Sequence, residues 1–160
     1  MRIIGAIVFT LYVGSAWAQG FTGKVVNVID GNTFEIVGED NEVVKFMLSE
    51  VDCPESGQEL ADEAKAFTEK MILKKKVVVV VRGKDRWGNK LAIISLRNGK
   101  AIHEELLKEG LAWATEKASE EVSTLQSEAK ENKVGIWAVD EPTPPWVYRR
   151  KQTMLQPKSR

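Results

Sequence analysis

An acid and an amide two residues apart, with a glycine between them, can close a tight turn or can face a cation. Asp30-Gly31-Asn32-Thr33 offers that pair. It lies within VIDGNTFEIV, between two apolar, strand-like halves. Both readings stand on these residues alone: a plain hairpin, or a metal site in which a neutral Asn32 occupies the place of an acid. Two further carboxylates, Asp52 and Glu55, are what strand ends and loops ordinarily carry. Cys53 between them is the single cysteine, so no intrachain disulfide is possible, and a lone thiol is more often buried and inert than reactive. His103, the single histidine, opens a helical stretch and reads as a surface or packing residue rather than a base. Near the C-terminus Trp146, Tyr148, Arg149, Arg150 and Lys151 mix aromatic and cationic groups. They read as a disordered arm for nucleic acid, membrane headgroups or an acidic partner surface.

The chain of 160 residues, 43% hydrophobic, suits one ordinary domain with tails. Its first eighteen residues stand apart. Arg2, the apolar run from Ile3 to Val13 and the small residues before Gln19 predict a signal peptide over 1–18. That run is shorter than the roughly 20 residues a bilayer span needs, so no transmembrane segment is expected once it is removed. A secreted or periplasmic location follows as the expectation. Net charge is zero overall but unevenly placed. Residues 19–142 hold 17 Lys and Arg against 23 Asp and Glu, whereas residues 143–160 hold five basic residues and no acid. An acidic body excludes a broad basic face for a polyanion, so nucleic-acid contact would have to come from local clusters or from the tail.

Hydrophobic periodicity places these residues. Alternation predicts strands at Lys24 to Asp30, Thr33 to Val37 and Val43 to Val51, joined as an antiparallel meander. Leu60, Ala64, Phe67 and Met71 recur at helical spacing within Gly57 to Leu73. The valine run of Lys76 to Arg82 and the segment Leu91 to Arg97 predict two more strands. Helices follow at about Ala101 to Glu109, stopped by Gly110, and Ser119 to Asn132, with Ser119 near its cap. Pro142, Pro144 and Pro145 then interrupt regular structure. The sum is an α+β chain, a five-stranded barrel packed with three α-helices, and such barrels bind nucleic acid, sugars or proteins alike.

The ordered succession KVVNVIDGNTFEI, FMLSEVDCPES, AFTEKMI, DRWGNKLAIISL, IHEELLKEGLAWA and SEAKENKVGIWA resembles the staphylococcal nuclease (thermonuclease) family over about residues 22 to 139. The closing PPWVYRR is similar to the tail of its bacterial members. The resemblance implies an oligonucleotide-binding (OB) type barrel over 19–140, a Pro-rich then basic tail over 141–160, and calcium-dependent hydrolysis of phosphodiesters in active members. It implies a metal held by position 32, by Asp52 and by the backbone carbonyl of Cys53, with Glu55 as general base and two arginines gripping the phosphate. Here position 32 is Asn32, and the two arginine positions are Met47 and Asn89. A thioether donates no hydrogen bond to phosphate, and Asn32 offers a carbonyl oxygen without the charge. The loop after the second helix, which bears stacking tyrosines in the best-known members, here reads Thr115-Glu116-Lys117-Ala118.

One preorganised donor is worth about 10²- to 10³-fold in turnover, so two lost clamps and one lost ligand charge should cost roughly 10⁴-fold or more. Lys45, on the same strand face as Met47, and Lys90, beside Asn89, are the candidate substitutes, though lysine forks less well than arginine. Trp87 could stack a base or cover the barrel edge. The expectation is an exported thermonuclease-fold protein of impaired catalysis, binding nucleic acid weakly through Arg149, Arg150 and Lys151, or a protein partner. Weak calcium affinity would remain. The alternative is a working calcium-dependent endonuclease in which Asn32, Asp52 and the Cys53 carbonyl hold the metal and Glu55 activates water.

Overall fold

The computed structural model describes residues 20–155; the expected signal peptide and residues 156–160 lie outside them. Strand β1 (Phe21–Val28) leads through the Asp-Gly-Asn turn into β2 (Thr33–Val37) and then β3 (Val43–Leu48). After the short β4 (Val51–Asp52) and helix α1 (Ala61–Ile72) come β5 (Lys76–Lys84) and β6 (Lys90–Leu96). Apolar residues two apart on each strand point inward: Phe34 and Ile36, Phe46 and Leu48, Val77 and Val79, Ala92 and Ile94. On β1 the inward pair is Val25 and Val28, because a register shift between Val25 and Asn27 inserts one residue. Five strands close in the order β1-β2-β3-β6-β5, with β5 returning to β1. Closure pairs the edges that an open sheet would leave exposed. All these neighbours run antiparallel except β3 and β6.

The third strand stops earlier than its alternation predicts. At Ser49 and Glu50 the chain leaves the barrel, with Glu50 in the left-handed region at φ 68°. Such a φ is unfavourable for a residue with a side chain, and it persists where neighbours hold it. Here the Glu50 carbonyl accepts from Thr115 N at 2.8 Å, and its carboxylate accepts from Ser119 N at 2.9 Å. Beyond this corner β4 pairs with β7 (Trp113–Ala114) in a two-stranded ladder that the sequence pattern did not announce.

Helices α2 (Ile102–Lys108) and α3 (Glu120–Glu131) fall where expected, and the Ser119 hydroxyl caps α3 by accepting from Val122 N at 3.3 Å. A single-turn 3₁₀ segment, Gly135–Ala138, brings Trp137 edge-on to Trp113, with ring centroids 5.4 Å apart. A fourth helix, α4 (Pro145–Leu155), adds to the three expected. The disordered-arm reading of the tail is corrected to that extent. Pro145 is its first residue, where a missing N–H breaks no intrahelical bond and the fixed φ already suits a helix. No helix among the described residues is long and apolar enough to cross a membrane.

The β1–β2 turn is fastened to α1 and β4 at one point. A Cβ on Gly31 would lie 2.8 Å from both Cβ and Sγ of Cys53 and 2.9 Å from Cβ of Ala64. Its carbonyl accepts from the fully buried Thr68 hydroxyl at 2.7 Å. Gly31→Ala should therefore lower unfolding free energy by about 1 to 3 kcal/mol, because three packed elements must separate to admit one methyl group. Urea unfolding would register this as a lower midpoint at unchanged slope.

Candidate functional site

Three segments meet beside that turn. Asn32, 5% exposed, donates its N–H to Asp30 Oδ1 at 2.9 Å, and its Oδ1 lies 3.4 Å from the Cys53 N–H. Its carbonyl accepts from Leu48 N at 2.8 Å. Asn32 thus brackets the hairpin against β3 and the residue after β4. Asp30 closes the turn as an acceptor. Burial raises its carboxyl above the usual range, hydrogen bonds from Asn32 and Thr33 oppose that, and the Asp52 charge adds to it. Cys53 is buried and unpaired, and burial, reinforced by Asp30, Asp52 and Glu55, pushes its thiol well above the ordinary range. At neutral pH it is a packed thiol rather than a nucleophile.

Asp52 at the end of β4 and Glu55 in the following loop face one guanidinium from the far end of the chain. Arg149 of α4 donates Nη2 to Asp52 Oδ2 at 2.8 Å and Nη1 to Asp52 Oδ1 at 3.2 Å, and Nη1 also bonds Glu55 Oε1. A forked guanidinium across carboxylates is the strong form of ion pair. The hydrogen bonds to Asp52, then the one to Glu55, hold the Arg149 pKa even higher than its ordinary value against the opposing effect of burial.

A cleft of about 870 Å³ opens alongside, lined among others by Asn32, Met47, Asp52, Arg82, Lys117 and Arg149. Lys84, Glu50, Glu116 and Trp146 share its wall. Met47 thus reaches the cleft as an apolar wall. Asn89 turns away: its Nδ2 donates to Asp85 Oδ2 at 2.7 Å and its N–H to Asp85 Oδ1 at 2.9 Å, closing the β5–β6 turn. Lys90 lines a different groove, near Phe46, and its Nζ lies 5.8 Å from that ring. Lys45 pairs across the strands with Glu35 and lines neither groove. The cations on the cleft wall besides Arg149 are Arg82, Lys84 and Lys117, which no motif marks. Trp87 is exposed, with the Arg86 guanidinium 4.0 Å from its ring, and it does not line the cleft.

A family model described as staphylococcal nuclease homologue matches residues 45–139. The chain belongs to that family. The match takes in Met47, Asp52, Cys53, Glu55 and Asn89, and leaves Asn32 and Arg149 outside it. Among relatives, an "Uncharacterized endonuclease" of Haemophilus influenzae is 31% identical over 133 residues, 82% of this chain and 74% of the relative. Another of that description, from Escherichia coli O157:H7, is 29% identical over 132 residues, 81% of this chain and 86% of its own. A "Micrococcal nuclease" of Shigella flexneri is 27% identical over 165 residues, 94% of this chain and 92% of its own.

Calcium, which the resemblance implies, takes about six to eight oxygen ligands, water among them, and relies on carboxylate oxygens left free to face it. The donor set as placed does not fit that demand. Both Asp52 oxygens and one Glu55 oxygen accept from Arg149, and Asn32 Oδ1 faces the Cys53 N–H. A full positive charge already lies against the carboxylates. Among the described residues no group of three His, Cys, Asp or Glu side chains converges as a metal cluster.

His103 belongs to the support of this site rather than to its chemistry. It is 4% exposed, its Nε2 lies 3.9 Å from Glu50 Oε2, and burial lowers its pKa, with Arg82 adding to that and Glu50 and Glu104 opposing it. A lowered native pKa means that the unfolded chain takes up the proton first. Stability from a neutral His103 is fully present above about pH 6.5, the unfolded value, and is lost as pH falls through the native pKa. Denaturant titrations at stepped pH should show stability declining below about pH 6.5, with His103→Gln removing that part of the decline.

Proposed function

We propose that the protein is exported and binds single-stranded nucleic acid in the cleft beside Asp52, hydrolysing it poorly by the family mechanism. The observation that carries this reading is the division of cations at the site. Arg82, Lys84 and Lys117 line the cleft, whereas the two clamp positions of the family hold the apolar Met47 and an Asn89 bonded to Asp85. Cations in a groove track a phosphate backbone whatever its sequence, and Trp146 on the same wall offers a face for a base. Catalysis needs more: a charge placed where the transferring phosphoryl group develops its own. The apolar run from Ile3 to Val13 supports export. The relatives' names favour a second reading, a working endonuclease with Glu55 as general base.

Two measurements test the proposal. Binding to a single-stranded oligonucleotide should weaken with salt at a log–log slope of about −2, from roughly 0.7 for each of three neutralised phosphates. Arg82→Ala, Lys84→Ala and Lys117→Ala should each flatten that slope by about 0.7, and binding indifferent to all three would contradict the assignment. Cleavage of the same oligonucleotide should stand about 10⁴-fold or more below that of a family member with both clamps. Brisk cleavage abolished by Glu55→Ala would establish the second reading instead. Asn32→Asp with Met47→Arg and Asn89→Arg should raise cleavage if the scaffold is otherwise competent.

A further inference from the structure

The structure assigns Arg149 as the resident cation of the Asp52–Glu55 pair: α4 is an internal latch whose guanidinium takes the oxygens that a divalent cation would need. Arg149 lies outside the six segments that carry the resemblance over residues 22 to 139, and its role goes beyond the proposed binding of nucleic acid, holding whether or not the chain cleaves it. Three hydrogen bonds from one side chain to two carboxylates engage three of their four oxygens. The guanidinium stays charged at any pH the fold survives, so the contact cannot be released by deprotonation.

The latch is built onto the site by separate anchors. Gln58 Oε1 accepts from Glu55 N at 2.8 Å, and its Nε2 donates to Thr143 O at 2.8 Å, tying the carboxylate loop to the segment that leads into α4. Gly57, at φ 89°, leaves its Cα face open to Tyr148, whose hydroxyl would lie 2.9 Å from a Cβ there. Pro145 is buried at the start of the helix. These contacts set Arg149 on the carboxylates, while Arg150 is exposed and makes no ion pair among the described residues. The Arg149 side chain is itself 42% exposed, which leaves it displaceable. A closed fraction that excludes a ligand weakens apparent affinity in proportion to the population that is open.

Calcium titration of the full chain by calorimetry, with thermal unfolding in parallel, tests the latch without reference to cleavage. Arg149→Gln should bind calcium about tenfold or more tightly than the unaltered chain, and calcium should raise its Tm more. Adding Asp52→Asn to Arg149→Gln should abolish the gain. Arg150→Gln removes the same charge one residue away and should bind as the unaltered chain does. If Arg149→Gln does not fold, Arg149→Lys is measured in its place, because its ammonium cannot fork across Asp52 and also reach Glu55. Equal calcium affinity in the Arg149 variant and the unaltered chain, or an equal gain from Arg150→Gln, overturns the assignment. So does a gain that survives Asp52→Asn.

Discussion

The site depends on a close approach that only a residue without a side chain permits. Gly31 lets the β1–β2 turn sit directly on Cys53 and Ala64, so the barrel, the strand leaving it and α1 share one contact. Cys53 lies between Asp52 and Pro54, with Glu55 next, and the position of both carboxylates is therefore set by how closely Gly31 and Cys53 pack. The buried bond from Thr68 to the Gly31 carbonyl satisfies a polar group that this packing removes from water. Asn32 then ties the same turn to Leu48 and approaches Cys53. Whatever the carboxylates do chemically, their placement is a matter of core packing.

Most of the barrel was legible because its strands are half-buried and alternate with period two. The valine run of β5 and the pair Phe34 and Ile36 on β2 declare an inward face without any tertiary information. The ladder of β4 and β7 was not legible. Two residues on each side carry no period, and their pairing follows from Glu50 taking a left-handed turn that its sequence does not signal. α4 was misread for a local reason: three prolines within four residues look like an interruption, yet the last of them is well suited to begin a helix. Among candidate site residues, Asn32, Asp52 and Glu55 were named on the resemblance to the family. Arg149 lies 97 residues from Asp52, and no local pattern links an arginine in a basic tail to a carboxylate at a strand end. A surplus of five cations beside an acidic body was the one available signal, and it pointed to solvent or a partner rather than inward.

That acidic body also explains why the cleft is worth separating from the overall charge. Arg82 and Lys84 project from the end of β5, and Lys117 from the loop after β7, so three cations besides Arg149 line the cleft from segments far apart in sequence. Glu50, Asp52 and Glu116 share the wall. Such a mixed surface would hold phosphate weakly and in a strongly salt-dependent way, because surface potentials beyond the Debye length of about 8 Å are screened at physiological ionic strength. Only cations within the cleft itself matter for a strand lying in it, and the net charge of the domain is a poor guide to that contact.

The charged groups at the site act on one another rather than singly. This chain sets Asp52 and Glu55 against Arg149. An Asn32 without charge leaves fewer carboxylates to attract a divalent ion, and Met47 and Asn89 supply no cation in their place. Two neighbouring carboxylates with no counter-charge would repel each other, which makes a tethered guanidinium favourable there. A group tethered to its own chain acts at an effective concentration on the order of millimolar and gives up no overall translation on docking. A free cation must match that advantage before it can take the same oxygens. The guanidinium that sets a positive charge against Asp52 and Glu55 therefore also withholds their oxygens from ions arriving from solution.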